Sequence, residues 1–139
     1  MQRVFVDTDV IIDFLTDKKP FSDQAAVILT LSEYGSIKVC VSALTIANSY
    51  YILKKFSSHQ KVVSKLSQLA QIVDIFDTTS SSIINSLNSN FKDFEDSIQH
   101  ETAKSDNRTK LIITRNTKDF RESDLSILTP EAYLKSLQK

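Results

Sequence analysis

Met1-Gln2-Arg3-Val4-Phe5-Val6-Asp7-Thr8-Asp9-Val10 is an apolar run stopped by acid. Val4, Phe5 and Val6 are β-branched or aromatic and read as a short buried strand over residues 2–6. Asp7 then stands at the carboxyl end of that strand, and Val10-Ile11-Ile12 resumes as a helix after a tight turn. In an open α/β sheet, that edge is where ligands bind. Asp7 or Thr8 would serve equally well as the cap of the helix that follows. The stretch alone leaves cap and site as equal readings.

Outward from this start, short apolar runs alternate with helical periodicity. Val10, Ile11, Phe14 and Leu15 place a helix over 8–16, and Ser22 is the expected cap of a second helix ending near Tyr34, with Gly35 as its left-handed C′ residue. A second strand is expected at 37–41, then helices at 43–56, capped by Ser42, and 59–71, capped by Ser57 or Ser58. The remaining expectations are a strand at 72–76, a helix at 79–87, a helix from Phe94 to Lys104 capped by Asp93, a strand at 110–114 and an edge strand at 125–128. Thr129-Pro130 opens a terminal helix as cap and N1 proline. Strand–helix alternation implies βαβ units. The expected fold is α/β: a three-layer sandwich with a central parallel sheet of four to five strands, forming a single domain over residues 1–139.

Scarcity narrows the chemistry. The chain has 139 residues and no net charge, but only one glycine, two histidines and one cysteine. A dinucleotide or P-loop glycine pattern cannot be built from one glycine. A structural Cys/His zinc site is equally unsupported, and neither His59 nor His100 stands at a strand end. Cys40 lies in an apolar run and reads as a core thiol. No stretch has the pattern of a signal peptide or membrane span, so a cytoplasmic location is expected.

The chemistry is therefore expected from carboxylates. Asp7 ends the first strand, Asn116 and Asp119 follow the fourth, and Asp93 and Asp96 open a helix. Capping accounts for Asp93 and leaves Asp96 without a structural task. Acids gathered at one sheet edge repel one another and are tolerated around a hard divalent cation such as Mg²⁺ or Mn²⁺.

Four blocks in order resemble the PIN domain family: Asp7-Thr-Asp-Val-Ile-Ile-Asp13, Val41-Ser-Ala-Leu-Thr-Ile-Ala-Asn48, Phe91-Lys-Asp-Phe-Glu-Asp96 and Thr114-Arg-Asn-Thr-Lys-Asp-Phe120. The resemblance implies Mg²⁺- or Mn²⁺-dependent cleavage of RNA, with one or two ions. It also implies a VapC-like toxin held by an antitoxin, and a homodimer. It makes Asp7 and Asp96 metal ligands and draws a further ligand, Asn116 or Asp119, from the last block, with Thr114 nearby. The catalytic set taken forward is Asp7, Asp96 and Asp119, with Asn48 and Asn116 as further oxygen donors.

Two departures qualify it. Asn48 stands where the family usually has glutamate, and Asp9 where it usually has asparagine. An amide donates an oxygen but no charge, so a second reading is a weakened protein that only binds RNA or a partner. A third compares Asp7-Thr8-Asp9 with the haloacid-dehalogenase-like phosphatases, with Asp7 as nucleophile and Asp9 as acid/base.

Charge distribution adds an expectation about substrate. Residues 34–73 carry five lysines and no acid. Lys54, Lys55, Thr114 and Arg115 are the candidate substrate contacts, Lys118 a further phosphate contact, and Tyr50 and Tyr51 candidate stacking platforms. Asp13 either supports the site from its helix or lies capped or exposed.

Overall fold

The computed structural model describes residues 1–138. Its elements run β1 (Gln2–Val6), α1 (Thr8–Leu15), α2 (Phe21–Glu33), β2 (Ile37–Ser42), α3 (Ala43–Lys54), α4 (His59–Ala70), β3 (Asp74–Phe76), α5 (Ser80–Leu87), α6 (Phe94–Lys104), β4 (Thr109–Ile113), a 3₁₀ turn (Thr117–Phe120), β5 (Ser126–Leu128) and α7 (Pro130–Ser136). The five strands form one parallel sheet in the order β3-β2-β1-β4-β5.

Burial on both faces explains why the strands read as continuous apolar runs rather than alternating ones. Val4, Val6, Val39, Val41 and Ile113 face one core, filled by Ile11 of α1, Ile28 of α2, Leu53 of α3, Leu69 of α4 and Tyr133 of α7. Phe5, Cys40 and Ile112 face a second core closed by Ala103 of α6 and Phe120 of the 3₁₀ turn. The three-layer architecture is as the sequence implied. Burial pushes the Cys40 thiol up to about 11, which suits an inert core residue.

The side-chain caps expected from the sequence are present, with one exception. Ser42, Ser58, Asp93 and Thr129 each accept a hydrogen bond from a first-turn backbone N–H of α3, α4, α6 and α7 respectively. Ser22 does not cap α2. The helix begins two residues earlier than that cap implies, at Phe21, and buried Ser22 donates its hydroxyl to Asp17 at 2.9 Å. The third strand is also shorter than expected: the N–H groups of Ile72 and Val73 turn back to the Leu69 carbonyl at 2.9 and 3.2 Å, so pairing starts only at Asp74.

Gly35 ends α2 as the sequence implied, at φ +79°. Ser36 N–H donates to the Leu31 carbonyl at 2.9 Å and Gly35 N–H to that of Ser32 at 3.1 Å, the paired bonds of a Schellman motif. An added Cβ would meet nothing within 4 Å. Gly35→Ala should therefore cost only the left-handed backbone penalty, about 1–2 kcal/mol, seen as a lower urea midpoint at unchanged slope. Gly35→Asn should recover part of the loss.

β1 lies between β2 and β4, so the direction of winding reverses beside it. That places the binding crevice at the carboxyl ends of β1 and β4. Asp7 N–H, donating to the Ile113 carbonyl at 2.9 Å, carries the ladder one residue past β1 and into that crevice. Among the described residues, no helix is long and apolar enough to cross a membrane.

Candidate carboxylate site at the switch point

Asp7 is both cap and site residue, because its two oxygens divide the work. Oδ1 accepts the Thr8 N–H at 2.8 Å and the Gln99 amide at 3.2 Å, and Oδ2 accepts the Thr114 hydroxyl at 2.8 Å. The residue is only 4% exposed yet lines a cleft of about 390 Å³. Burial raises its pKa, and these three hydrogen bonds oppose the rise. Thr114 is fully buried and also accepts the Asn116 N–H at 3.0 Å. It holds Asp7 rather than facing a ligand, unlike the substrate contact expected from the sequence.

Gln99 is a residue that sequence reasoning missed. Its amide nitrogen lies 3.2 Å from Asp7 Oδ1, 3.1 Å from the Thr8 hydroxyl and 2.9 Å from the Thr45 hydroxyl, while its oxygen accepts the Ser42 hydroxyl at 2.5 Å. One buried amide thus ties α6 to the start of α1, the end of β2 and the first turn of α3. The available signal was spacing: Gln99 follows Asp96 by three residues, and such pairs share a helix face. Gln99→Leu would leave several buried polar groups short of a partner. We expect a loss of about 2–3 kcal/mol in urea unfolding, more than shape alone would cost.

The cleft gathers acids from three parts of the chain: Asp7 and Asp9, Asp93, Glu95 and Asp96 at the start of α6, and Asp119 in the 3₁₀ turn. Asp93 caps α6 by accepting the Asp96 N–H at 2.9 Å, which frees the Asp96 side chain for the cleft. Burial, and then repulsion from Asp7, Asp93, Asp119 and Glu95, pushes the Asp96 carboxyl up to about 8. Burial and the neighbouring Asp7 push Asp9 up to about 7. Asn116 and Asp119 both line the cleft, so placement does not choose between them.

Other sequence candidates lie differently. Arg115 is bound to Asp13 through Nε–Oδ2 at 2.6 Å and Nη2–Oδ1 at 3.1 Å, and its guanidinium lies 4.0 Å from the Phe21 ring centroid. Asp13 is therefore neither capped nor exposed, and Arg115 is a committed ion-pair partner at the cleft wall rather than a free phosphate contact. Lys18, not singled out by the sequence, lines the same cleft.

Asn48 lies one step away, in an adjoining cleft with Tyr51 and Lys55 that shares Thr8, Ile52 and Glu95 with the acid cleft. Lys54 lines neither of these two clefts. Of the tyrosines, Tyr50 packs on the core and Tyr51 is 69% exposed. Neither histidine lines the cleft: His59 bonds the Tyr50 hydroxyl and His100 stacks on Phe91.

The donor chemistry suits a hard cation. Every ligand candidate is an oxygen, the carboxylates repel one another, and the buried Asp9 Oδ1 has no hydrogen-bond partner. Among the described residues no group of three or more acidic, histidine or cysteine side chains is gathered closely enough to hold a metal ion by itself. An open arrangement fits Mg²⁺, which keeps several waters and relies on one or two carboxylates together with substrate phosphate.

A family model described as PIN domain matches residues 3–118. Ribonuclease VapC1 of Aquifex aeolicus is 29% identical over 140 residues, covering 95% of this chain and 93% of that protein. Among solved structures, VapBC-1 from nontypeable Haemophilus influenzae superposes with a TM-score of 0.67 at 17% identity, covering 94% of this chain and 99% of that one. DNA-bound VapBC from Salmonella typhimurium gives 0.68 at 14% identity, over 92% and 97% of the two chains. A toxin–antitoxin complex from Klebsiella pneumoniae gives 0.66 at 25% identity, over 91% and 97%. The family match spans the opening three motifs, from Asp7 to Asp96, and most of the fourth block. This chain belongs to the PIN domain family.

Proposed function

We propose that this protein is a divalent-cation-dependent endoribonuclease and the toxin of a toxin–antitoxin pair. The observation that carries the reading is the meeting, in one cleft at the switch point, of acids from the end of β1, the first turn of α6 and the turn after β4. Similarity to a protein named as a ribonuclease, and to chains solved as VapBC and toxin–antitoxin complexes, supports both the activity and the antitoxin partner.

Asp7, Asp96 and Asp119 are the residues we assign to hold Mg²⁺ or Mn²⁺, with Asn116 as an added oxygen donor. To Asn48, which lines the adjoining cleft, we assign at most a water-mediated contact to the cation. A bound cation would supply Lewis acidity to the phosphodiester and to the attacking water. The chain's own part is to fix the acids before the substrate arrives. Thr8, Gln99 and Thr114 hold Asp7, and Asp93 caps α6 so that Asp96 is free.

The test is incubation of the purified chain with single-stranded RNA in Mg²⁺ or Mn²⁺. Cleavage should stop with EDTA and in Asp96→Asn. Cleavage that survives both would end the proposal. RNA binding without cleavage, with cleavage appearing in Asn48→Glu, would identify the weakened reading instead. For the partner, a small protein encoded in the adjacent reading frame should inhibit cleavage when co-expressed.

A further inference from the structure

The open surface continues past the acids on both sides. Toward α3, the acid cleft shares Thr8, Ile52 and Glu95 with the cleft that holds Tyr51 and Lys55. Through other residues, Asp93 and Asp119, it joins a smaller cleft, lined by Lys92, Lys118 and Arg121, between the turn before α6 and the 3₁₀ turn. The three clefts form one track with carboxylates at its middle and cations toward its ends.

Those end cations are uncommitted. Arg3, Lys19, Lys104, Arg108, Arg115 and Lys135 all pair with carboxylates. Among the described residues Lys55, Lys92, Lys118 and Arg121 make no ion pair, although Asp93, Asp119 and Glu122 line the same small cleft as three of them. Exposed cations that no carboxylate holds can take an external anion without first breaking an ion pair.

Tyr51 adds a second kind of contact. Tyr50 packs edge-on against its ring, at 5.1 Å and 88°, and is itself held by a 2.8 Å hydrogen bond to His59 Nδ1. The Tyr51 ring is thus supported while most of its surface stays open, beside the unpaired Lys55. An aromatic face next to a cation is the pairing that takes an unstacked base and its phosphate. A duplex cannot offer that base, so the arrangement favours a single strand.

We propose that a single strand of RNA lies along this track, with a base stacked on Tyr51, one flanking phosphate at Lys55 and another at Lys118 and Arg121. The inference rests on the nuclease reading above.

Binding of labelled single-stranded RNA, followed by fluorescence anisotropy across a salt series in the Asp96→Asn background, tests the track. Adding Lys118→Ala with Arg121→Ala should flatten the log–log salt slope by about 0.7 for each phosphate that is no longer neutralised. Lys61→Ala, on α4 and outside the track, should leave the slope unchanged. Tyr51→Ala should weaken binding about tenfold or more at every salt concentration, and Tyr51→Phe should restore it. An unchanged slope in the Lys118/Arg121 variant, or unchanged affinity in Tyr51→Ala, would overturn the track while cleavage by the unaltered chain left the nuclease reading standing. Absence of both RNA binding and cleavage in the unaltered chain would overturn both. Variants that bind RNA normally but escape inhibition by the co-expressed partner would make the track a protein-docking surface, and the inference would fall.

Discussion

Asp7→Asn should abolish RNA cleavage while leaving the protein folded. Losing an outer partner of a metal site typically costs about 10–100-fold, so loss of a carboxylate proposed to meet the cation directly should exceed about a hundredfold. The fold should tolerate the change because the asparagine oxygen can still accept the Thr8 N–H and the Gln99 amide, and the Thr114 hydroxyl can turn from donor to acceptor. Gel analysis of RNA cleavage and calorimetric titration with Mn²⁺ would report the two losses separately. Full cleavage by the variant would remove Asp7 from the mechanism.

The same substitution should change stability in the opposite direction when the cation is absent. Burial and mutual repulsion raise the pKa of Asp7, and hold Asp9 near 7 and Asp96 near 8. The unfolded chain releases these protons near the ordinary carboxylate pKa of about 4. Between these limits the folded state binds more protons than the unfolded one, so stability falls as pH rises. In EDTA the protein should therefore melt at a lower temperature at pH 8 than at pH 5, and Asp7→Asn should flatten that dependence. Added Mn²⁺ should restore the melting temperature of the parent at pH 8 more than that of the variant.

Arg115→Ala should destabilise the protein more than either Gln99→Leu or Gly35→Ala. Asp13 is 3% exposed, and both its oxygens are bound by the Arg115 fork, at 2.6 and 3.1 Å. Removing the arginine leaves a buried carboxylate without its counter-charge, a change that costs about 3–5 kcal/mol. Arg115 is 27% exposed, so water can reach the vacated space and the lower end of that range is expected. The cation–π stacking of its guanidinium on Phe21 disappears as well. For a chain of this length the melting temperature should drop by roughly 10 °C. Arg115→Lys should recover little, because an ammonium cannot reproduce the two-point fork. Arg115→Met with Asp13→Leu should recover most of the stability, since a well-packed apolar pair often matches a buried ion pair. An Arg115→Ala protein as stable as the parent would show the pair to be incidental.

Local chemistry made most of the architecture legible. Strand–helix alternation specified a parallel sheet covered on both faces, and Gly35, Ser42, Asp93 and Thr129-Pro130 marked helix ends that the structure keeps. Errors arose where a local preference met a tertiary competitor. Ser22 has good capping chemistry, yet Asp17 takes its hydroxyl inside the helix. Ile72 and Val73 have strand propensity, yet their N–H groups close the end of α4.

The acids were visible in the sequence because a carboxylate directly after a buried strand, or left over once a cap is assigned, has few structural explanations. Their partners were not. Gln99 reads as an ordinary helical residue, and only packing reveals that its amide joins Asp7 to three other elements. Arg115 looked like a free cation because its acid lies 102 positions away.

The basic stretch shows the same limit. Five lysines without an acid suggested one binding face, but helical geometry turns Lys54 away and leaves Lys55 beside Tyr51. The other end of the track is built from Lys92, Lys118 and Arg121, which are scattered in sequence. Pattern and propensity act over a few residues, so the sequence by itself determined the element order, the sheet type and the acids at its edge. Hydrogen bonds, ion pairs and clefts join residues more than a hundred positions apart. Only the tertiary structure decided which polar groups hold those acids and which cations stay free.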